Sequence, residues 1–250
     1  DSGLGRILLR VAMGIVLLLL WEGLVHWFSQ SYVARPSGVV RAFPHVARNG
    51  EFWHAARMTG VAIAEGLAIG IVGGALVGLV MGRLRDAESL LRFYMNAFFA
   101  LPTIAVLPLM TLWLGYTGTA RLAIIILGAF LPVALNVYDG VRRLPTAYIE
   151  VSKTYHAHWW NVWFGIALPS ALPYLLAGIR LAAGRALVAA VVAEYLLAIP
   201  GLGYYVRFQS SSFHQNDATV GVLLLAAIGV TINLLIDGGT RRFLPWYRRA

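Results

Sequence analysis

Six stretches of this chain, near residues 7–28, 59–82, 94–114, 120–138, 173–198 and 219–237, are each long and apolar enough to cross a lipid bilayer. A transmembrane helix needs about 20 mostly apolar residues. Such runs predict an all-α membrane protein with six transmembrane helices. With 59% hydrophobic and 12% charged residues among 250, a soluble globule would lack the polar groups to cover its surface. The first run is too long, and carries Glu22 and His26 too early, for the apolar core of a cleaved signal peptide, so it reads as a retained helix.

Orientation follows from the basic residues. With the N-terminus inside, Arg6, Arg10, Arg83, Arg85, Arg92, Arg142, Arg143, Lys153, Arg241, Arg242, Arg248 and Arg249 lie on the inner side, twelve in all. Six lie outside: Arg35, Arg41, Arg48, Arg57, Arg121 and Arg207. Both termini of this multi-pass protein are therefore expected in the cytoplasm. The net charge of +9 is dispersed over span ends rather than gathered in one patch, which argues against a nucleic-acid partner. The chain has no cysteine, which excludes disulfides and thiolate metal sites.

No linker or low-complexity run divides the sequence, so residues 1–250 read as a single membrane domain. In the longest outer segment, residues 29–58, Val39, Val40, Phe43 and Val46 recur at helical spacing and predict a short helix over 37–47 that caps the bundle. In the second span Gly66, Gly70, Gly74, Gly78 and Gly82 recur every fourth residue. That is a smooth stripe on one helix face, suited to close approach of another backbone within or between subunits. Trp27, Phe28, Trp113, Tyr116, Trp246 and Tyr247 fall at span ends as interfacial anchors.

A polar, aromatic-rich island, EVSKTYHAHWWNVWFGIALP at residues 150–169, separates the fourth and fifth spans. Pro145 can begin a helix that puts Tyr148, Val151 and Tyr155 on one face. Trp160, Trp163, Phe164 and Ala167 form a second apolar stripe. Two short helices at an angle are expected, closed by Pro169 and Pro173 before the fifth span. On spacing alone the island is either a passive interfacial linker or a contact for a soluble partner.

Arg180, Arg185 and Glu194 fall within the fifth span, and ionisable groups at that depth are costly enough to mark function. Arg185 and Glu194 are about 13 Å apart along a helix axis and cannot pair directly. Arg185 either pairs with Glu65 of the second span or faces a solute path and favours an anion. No GxxxxGK[ST] phosphate loop is present, so the chain does not itself hydrolyse ATP. The histidines make no metal-ligand pattern, and the acidic residues no catalytic cluster.

The order Glu150, position 156, then Ile166, Leu168 and Pro169 reproduces the spacing of the EAA loop, E-A-A-x3-G-x9-I-x-L-P, of bacterial ABC importer permeases. Further pieces match in order: Leu101-Pro102, Leu107-Pro108-Leu109, Trp113-Leu114-Gly115, Phe130-Leu131-Pro132, Gly178-Ile179-Arg180-Leu181-Ala182, Ala193-Glu194 and Gly201-Leu202-Gly203-Tyr204. Over residues 54–238 the chain resembles the nitrate/sulfonate/taurine branch of those permeases. Val151 and Ser152 replace the two alanines of the loop, and His156 replaces its glycine. If position 156 is the left-handed residue of a turn, histidine costs on the order of 1 kcal/mol relative to glycine. His156→Gly is then expected to be tolerated in transport.

The resemblance implies a type I importer fold with cytoplasmic coupling helices in the loop at 145–169. It implies a pair of permeases, two ABC ATPases that bind ATP and Mg, and an extracytoplasmic solute-binding protein. ATPase coupling is then expected at Glu150, Lys153, Thr154, His156 and Ala157, and the residues themselves place the translocation path at Pro102, Thr103, Arg185 and Glu194. The solute is expected to be small and anionic. The rival is an ion-coupled secondary transporter, with Glu65, Arg185 and Glu194 as a relay and broken helices at Pro102 and Pro108. It leaves the island unexplained.

Overall fold

The structure is a computed structural model that describes residues 3–27, 32–143, 150–152, 154–162, 165–166 and 168–243. In these residues it is helical, with α1 Gly3–Trp27, α2 Pro36–Arg48, α3 Gly50–Arg83, α4 Arg85–Ala100, α5 Thr103–Leu114, α6 Gly118–Arg142, a single turn α7 Trp159–Val162, α8 Leu168–Leu197, α9 Leu202–Ser211 and α10 Gln215–Phe243. Among the described residues five helices are long and apolar enough to cross a membrane, and α4 with α5 makes a sixth crossing if the bent pair is one span.

The core is a three-helix layer of α3, α6 and α8, where Ile63, Ile125, Ala129, Val133, Ala186 and Ala190 are buried together. The glycine stripe of α3 packs on α6 within the subunit. A methyl group on Gly74 would stand 2.6 Å from the Phe130 carbonyl oxygen and 2.9 Å from Val133 Cβ. One on Gly70 would stand 2.6 Å from Ala129 Cβ, and one on Gly78 would overlap the Ala134 carbonyl. The stripe thus sets the α3–α6 spacing at backbone contact, the small-residue packing that substitutes for a hydrophobic drive in lipid.

Two expectations are corrected. The third span, read as 94–114, is not one helix: α4 and α5 meet at 103°. Leu101 is extended (φ −69°, ψ 133°) because the following Pro102 disfavours the helical region at the residue before it, and α5 restarts at Thr103. Pro108 breaks nothing and sits inside α5, where Thr111 Oγ1 donates to its carbonyl (2.7 Å). The fifth span also starts earlier than expected, at Leu168, so Pro169 occupies the first turn of α8 and Pro173 lies within the helix. Proline in a first turn removes only an N–H that has no intrahelical partner.

Helix α2 caps one end of the bundle as expected, but with a shifted face. Val39, Ala42 and Val46 are buried, while Val40 and Phe43 are exposed. The buried face packs with Phe52 of α3, Leu202 and Tyr205 of α9, and Val220 and Leu225 of α10. Two polar ties hold it, His45 Nε2 to Asp217 Oδ2 (3.1 Å) and the Arg35 N–H to Asn216 Oδ1 (3.2 Å). Helix α3 begins nine residues before the expected 59, because Glu51, His54 and Arg57 point outward while Phe52 enters the core. Asn49 caps it by accepting from the Glu51 N–H (2.9 Å).

Candidate functional site

The island presents an apolar surface at the end of the bundle where α6 ends and α8 begins. Residues 144–149, 153, 163–164 and 167 lie outside the described residues, so Pro145, Tyr148, Lys153, Trp163, Phe164 and Ala167 cannot be placed within it. Around Glu150 the chain is helical, and Thr154 Oγ1 donates to the Glu150 carbonyl (3.0 Å). This turn ends on His156 at φ +50°, in the left-handed region. The Ala157 N–H reaches back to the Ser152 carbonyl at 2.9 Å. That six-to-one bond around a left-handed residue is a Schellman end, in which glycine is the usual occupant.

The sequence expectation for position 156 is therefore realised, with histidine accepting a strain of about 1 kcal/mol. His156→Gly is expected to raise stability by that amount in a thermal or chemical unfolding measurement; an unchanged or lowered stability would show that the imidazole contributes a compensating contact. Val151, Tyr155 and Trp160 are 55%, 81% and 50% exposed. Glu150, Thr154 and His156 are also exposed, Ala157 is half-buried, and Ser152 is buried beneath them.

The residues assigned to a translocation path divide into two places. Thr103 and Arg185 line one cavity of about 390 Å³ between α5, α6, α8 and α10. The Arg185 guanidinium lies over the Phe99 ring, 3.9 Å from its centroid. Arg180, also in the cavity wall, is paired with Asp237 of α10. Pro102 makes the break that brings the end of α4 and the start of α5 to this wall.

Glu194 is elsewhere. It has no exposed surface and lies where α3, α6, α8 and α9 meet. Its carboxylate accepts from Thr59 Oγ1 at 2.9 and 2.8 Å, from Arg121 Nη1 at 3.0 Å and from the Gly203 N–H at 2.9 Å. Thr59 Oγ1 in turn accepts from the Leu202 N–H (2.8 Å), and Arg121 Nη1 also reaches the Pro200 carbonyl (3.0 Å). At the start of α9 the Gly203 N–H thus meets the carboxylate directly and the Leu202 N–H meets it through Thr59 Oγ1, as the positive end of a helix favours. Side chains at 201 and 203 would collide with Glu194, so both glycines are needed for this descent of the chain.

Sequence reasoning counts Arg121 among the outer-side basic residues and misses Thr59 as a ligand. A lone carboxylate in one span and a lone arginine at the start of another is the signal that could have joined them. The alternative pairing of Arg185 with Glu65 does not form. Glu65 is exposed, and among the described residues no hydrogen bond or ion pair links Glu65, Arg185 and Glu194. A three-residue relay is therefore not assembled here.

Residues 70–249 match the family described as binding-protein-dependent transport system inner membrane component, and the chain belongs to that family. It is 30% identical over 245 residues to the putative aliphatic sulfonates transport permease SsuC of Escherichia coli, covering 96% of this chain and 93% of that one. It is 28% identical over 236 residues to the formylaminopyrimidine transport permease ThiX of Halalkalibacterium halodurans, covering 94% of each. The taurine transport permease TauC of Escherichia coli is 29% identical over 193 residues, 77% of this chain and 70% of TauC.

Among solved structures, an amino acid ABC transporter crystallised with histidines superposes with a TM-score of 0.64 at 15% identity, over 80% of this chain and 98% of that one. The inward-facing methionine ABC transporter MetNI superposes with a TM-score of 0.59 at 22% identity, over 76% and 93%. These likenesses establish the fold as that of a type I ABC importer permease.

Proposed function

We propose that this chain is the membrane-spanning subunit of an ATP-driven importer that accepts a small anionic solute from an extracytoplasmic binding protein. A pair of such subunits would enclose the path, with two ABC ATPases, holding ATP and Mg, below them. The observation that carries the reading is the set of exposed apolar side chains Val151, Tyr155 and Trp160 on a segment with EAA-loop spacing, in a chain of this transport family. A soluble partner that moves a bundle needs such a surface to grip.

In this reading Glu150, Lys153, Thr154, His156 and Ala157 form the socket for the ATPase. ATP binding pulls the pair of sockets together, and α8, continuous from residue 168, carries the displacement into the span. Arg185 lies 17 positions along that helix, about 26 Å at 1.5 Å per residue. Transport is then a shift of population between inward- and outward-facing states, with the permease supplying shape and the ATPase the chemistry. Thr103 and Arg185 belong to the path, Pro102 shapes it, and Glu194 serves as a lock that fixes α9 to the bundle. The socket end faces the cytoplasm of a bacterial inner-membrane protein, as the distribution of arginines suggests.

Glu150→Ala tests the socket. In the reconstituted complex with its ATPase and binding protein, the variant is expected to lose most of the solute-stimulated ATP hydrolysis while the complex still assembles. Undiminished stimulation in a correctly assembled complex would remove Glu150 from the coupling machinery.

A further inference from the structure

Charge also gathers away from the path, where α4 starts and α6 ends. Two adjoining cavities of about 860 and 420 Å³ meet there, and Arg92 and Arg142 stand in the walls of both. Arg85 and Glu88 line the larger, Asp139 and Arg143 the smaller. Four arginines thus share one gap with two carboxylates, a surplus of two positive charges. Arg83 and Asp86 in the adjoining turns add one charge of each sign and leave that surplus unchanged.

One carboxylate gathers the cluster. Glu88 Oε1 accepts from the Tyr138 hydroxyl at 2.7 Å and pairs with Arg142 and, at 3.6 Å, with Arg92. Arg142 Nη1 also donates to the Tyr138 hydroxyl (2.6 Å). A guanidinium carries several N–H donors, so two of them sharing a single oxygen leave most of theirs unspent. Arg143 lies over the Tyr174 ring, 5.8 Å from its centroid, a contact that uses the face of the guanidinium and leaves its edge. Neither Arg85 nor Arg143 has a carboxylate partner among the described residues.

A bias of basic residues to one side of the membrane explains their number but not their convergence. Helix α6 ends at Arg142, where the negative end of its dipole favours Arg142 and Arg143. Arg85 has no such support, because it is the first residue of α4 and the field of that helix opposes a cation there. An anion held between the two helices relieves that opposition and uses the free donors of both.

Beside the cluster the surface is hydrocarbon. Helix α4 runs back along α6, with Met95 buried among Leu131, Ala134 and Tyr138. Leu90, Phe93, Tyr94 and Phe98 of α4 are each more than half exposed, and Phe93 and Ala97 also wall the larger cavity. From Glu88 to Phe98 the helix rises about 15 Å, half of the roughly 30 Å apolar core of a bilayer. The arginines stand at headgroup level with one leaflet's depth of apolar surface beside them.

We propose that this cluster binds an anionic phospholipid of the leaflet on the island side. The edges of Arg92, Arg142 and Arg143 hold its phosphate, and one acyl chain lies over Phe93 and Ala97. A soluble protein would reach the arginines but leave the apolar side chains uncovered, and a second copy of the chain brings the same positive surplus. The site needs only a chain that spans a membrane, and so goes beyond the importer reading.

The test is native mass spectrometry of the full chain in neutral detergent, alone and with any ATPase that copurifies. The probes are dioleoylphosphatidylglycerol, dioleoylphosphatidylcholine and inorganic phosphate. The first phosphatidylglycerol is expected to bind about tenfold more tightly than the first phosphatidylcholine, and inorganic phosphate not measurably. Arg92→Gln and Arg143→Gln should each weaken phosphatidylglycerol about fivefold and leave phosphatidylcholine unchanged. Glu88→Gln should strengthen phosphatidylglycerol, because it frees two arginines while its amide oxygen still accepts from Tyr138. Arg241→Gln combined with Arg242→Gln, exposed basic residues in the last turn of α10, should change nothing.

Equal affinity for the two lipids, no response to Arg92→Gln and Arg143→Gln, or an equal loss in the Arg241→Gln/Arg242→Gln variant would overturn the proposal. Inorganic phosphate binding as tightly as phosphatidylglycerol would overturn it in favour of a free oxyanion. A lipid preference that disappears in the ATPase complex would overturn it in favour of the protein partner.

Discussion

Valine at Gly74 or Gly78 is expected to lower the stability of the folded protein by about 3 kcal/mol, at the upper end of the usual cost of overpacking. The reason is the identity of the obstacle. At both positions the added carbon meets a carbonyl oxygen of α6, Phe130 at 2.6 Å from position 74 and Ala134 at position 78. A side chain in the way can change rotamer, whereas a helix backbone can only move as a whole. Moving α6 disturbs its packing on α8, where Ala182, Ala186 and Ala190 are buried.

Gly60 supplies the internal control. It lies on the same helix with nothing within 4 Å of an added methyl group, so Gly60→Ala should be neutral or stabilising by up to about 1 kcal/mol. Thermal unfolding in detergent, followed by circular dichroism, separates the two classes. Wild-type melting of Gly74→Val and Gly78→Val would mean that α3 and α6 are not held at backbone contact.

The second large effect is expected at the buried lock. Arg121→Ala removes the cation from a carboxylate with no exposed surface and should cost about 3–5 kcal/mol. Glu194→Ala should cost a similar amount, because it strands Arg121, whose Nε already lacks a hydrogen-bond partner among the described residues. Arg121→Met combined with Glu194→Met should be markedly less damaging than the sum of the single alanine variants, since a missing pair leaves no unpaired buried charge. Residual loss is expected from the Gly203 N–H and the Pro200 carbonyl, which lose their partners, and from Thr59 Oγ1, which loses its acceptor. Additive effects across this cycle would show that the two side chains are not energetically coupled.

The positions that sequence reasoning places correctly depend on local periodicity. Five of the runs form single spanning helices, and the every-fourth glycines of α3 find the backbone contact that their spacing implies. The turn at His156 is legible because a Schellman end is specified within six residues. The bend between α4 and α5 is not, since Pro102 and Pro108 carry the same local signal. Only the surroundings decide that Pro102 ends a helix while Pro108 continues one with Thr111 Oγ1 on its carbonyl.

Glu194 is legible in sequence as a costly group but not in its neighbourhood, for a related reason. Its partners are 135 and 73 positions away, at Thr59 and Arg121, and nothing local names them. The Ala193-Glu194 and Gly201-Leu202-Gly203 segments, which read in sequence as two separate pieces of resemblance, are one object in space. The glycines admit the chain to the carboxylate, and the carboxylate holds the start of α9.

The most direct test of the importer account is uptake of the radiolabelled ligand of the binding protein into proteoliposomes holding the permease, its co-purified ATPase and that binding protein. One arm has ATP as the only energy source, and the other has a proton or sodium gradient without nucleotide. The account predicts uptake in the first arm, none in the second, and loss of the first when the ATPase is omitted. Solute accumulation driven by the gradient in the absence of ATP would contradict it and would favour an ion-coupled carrier.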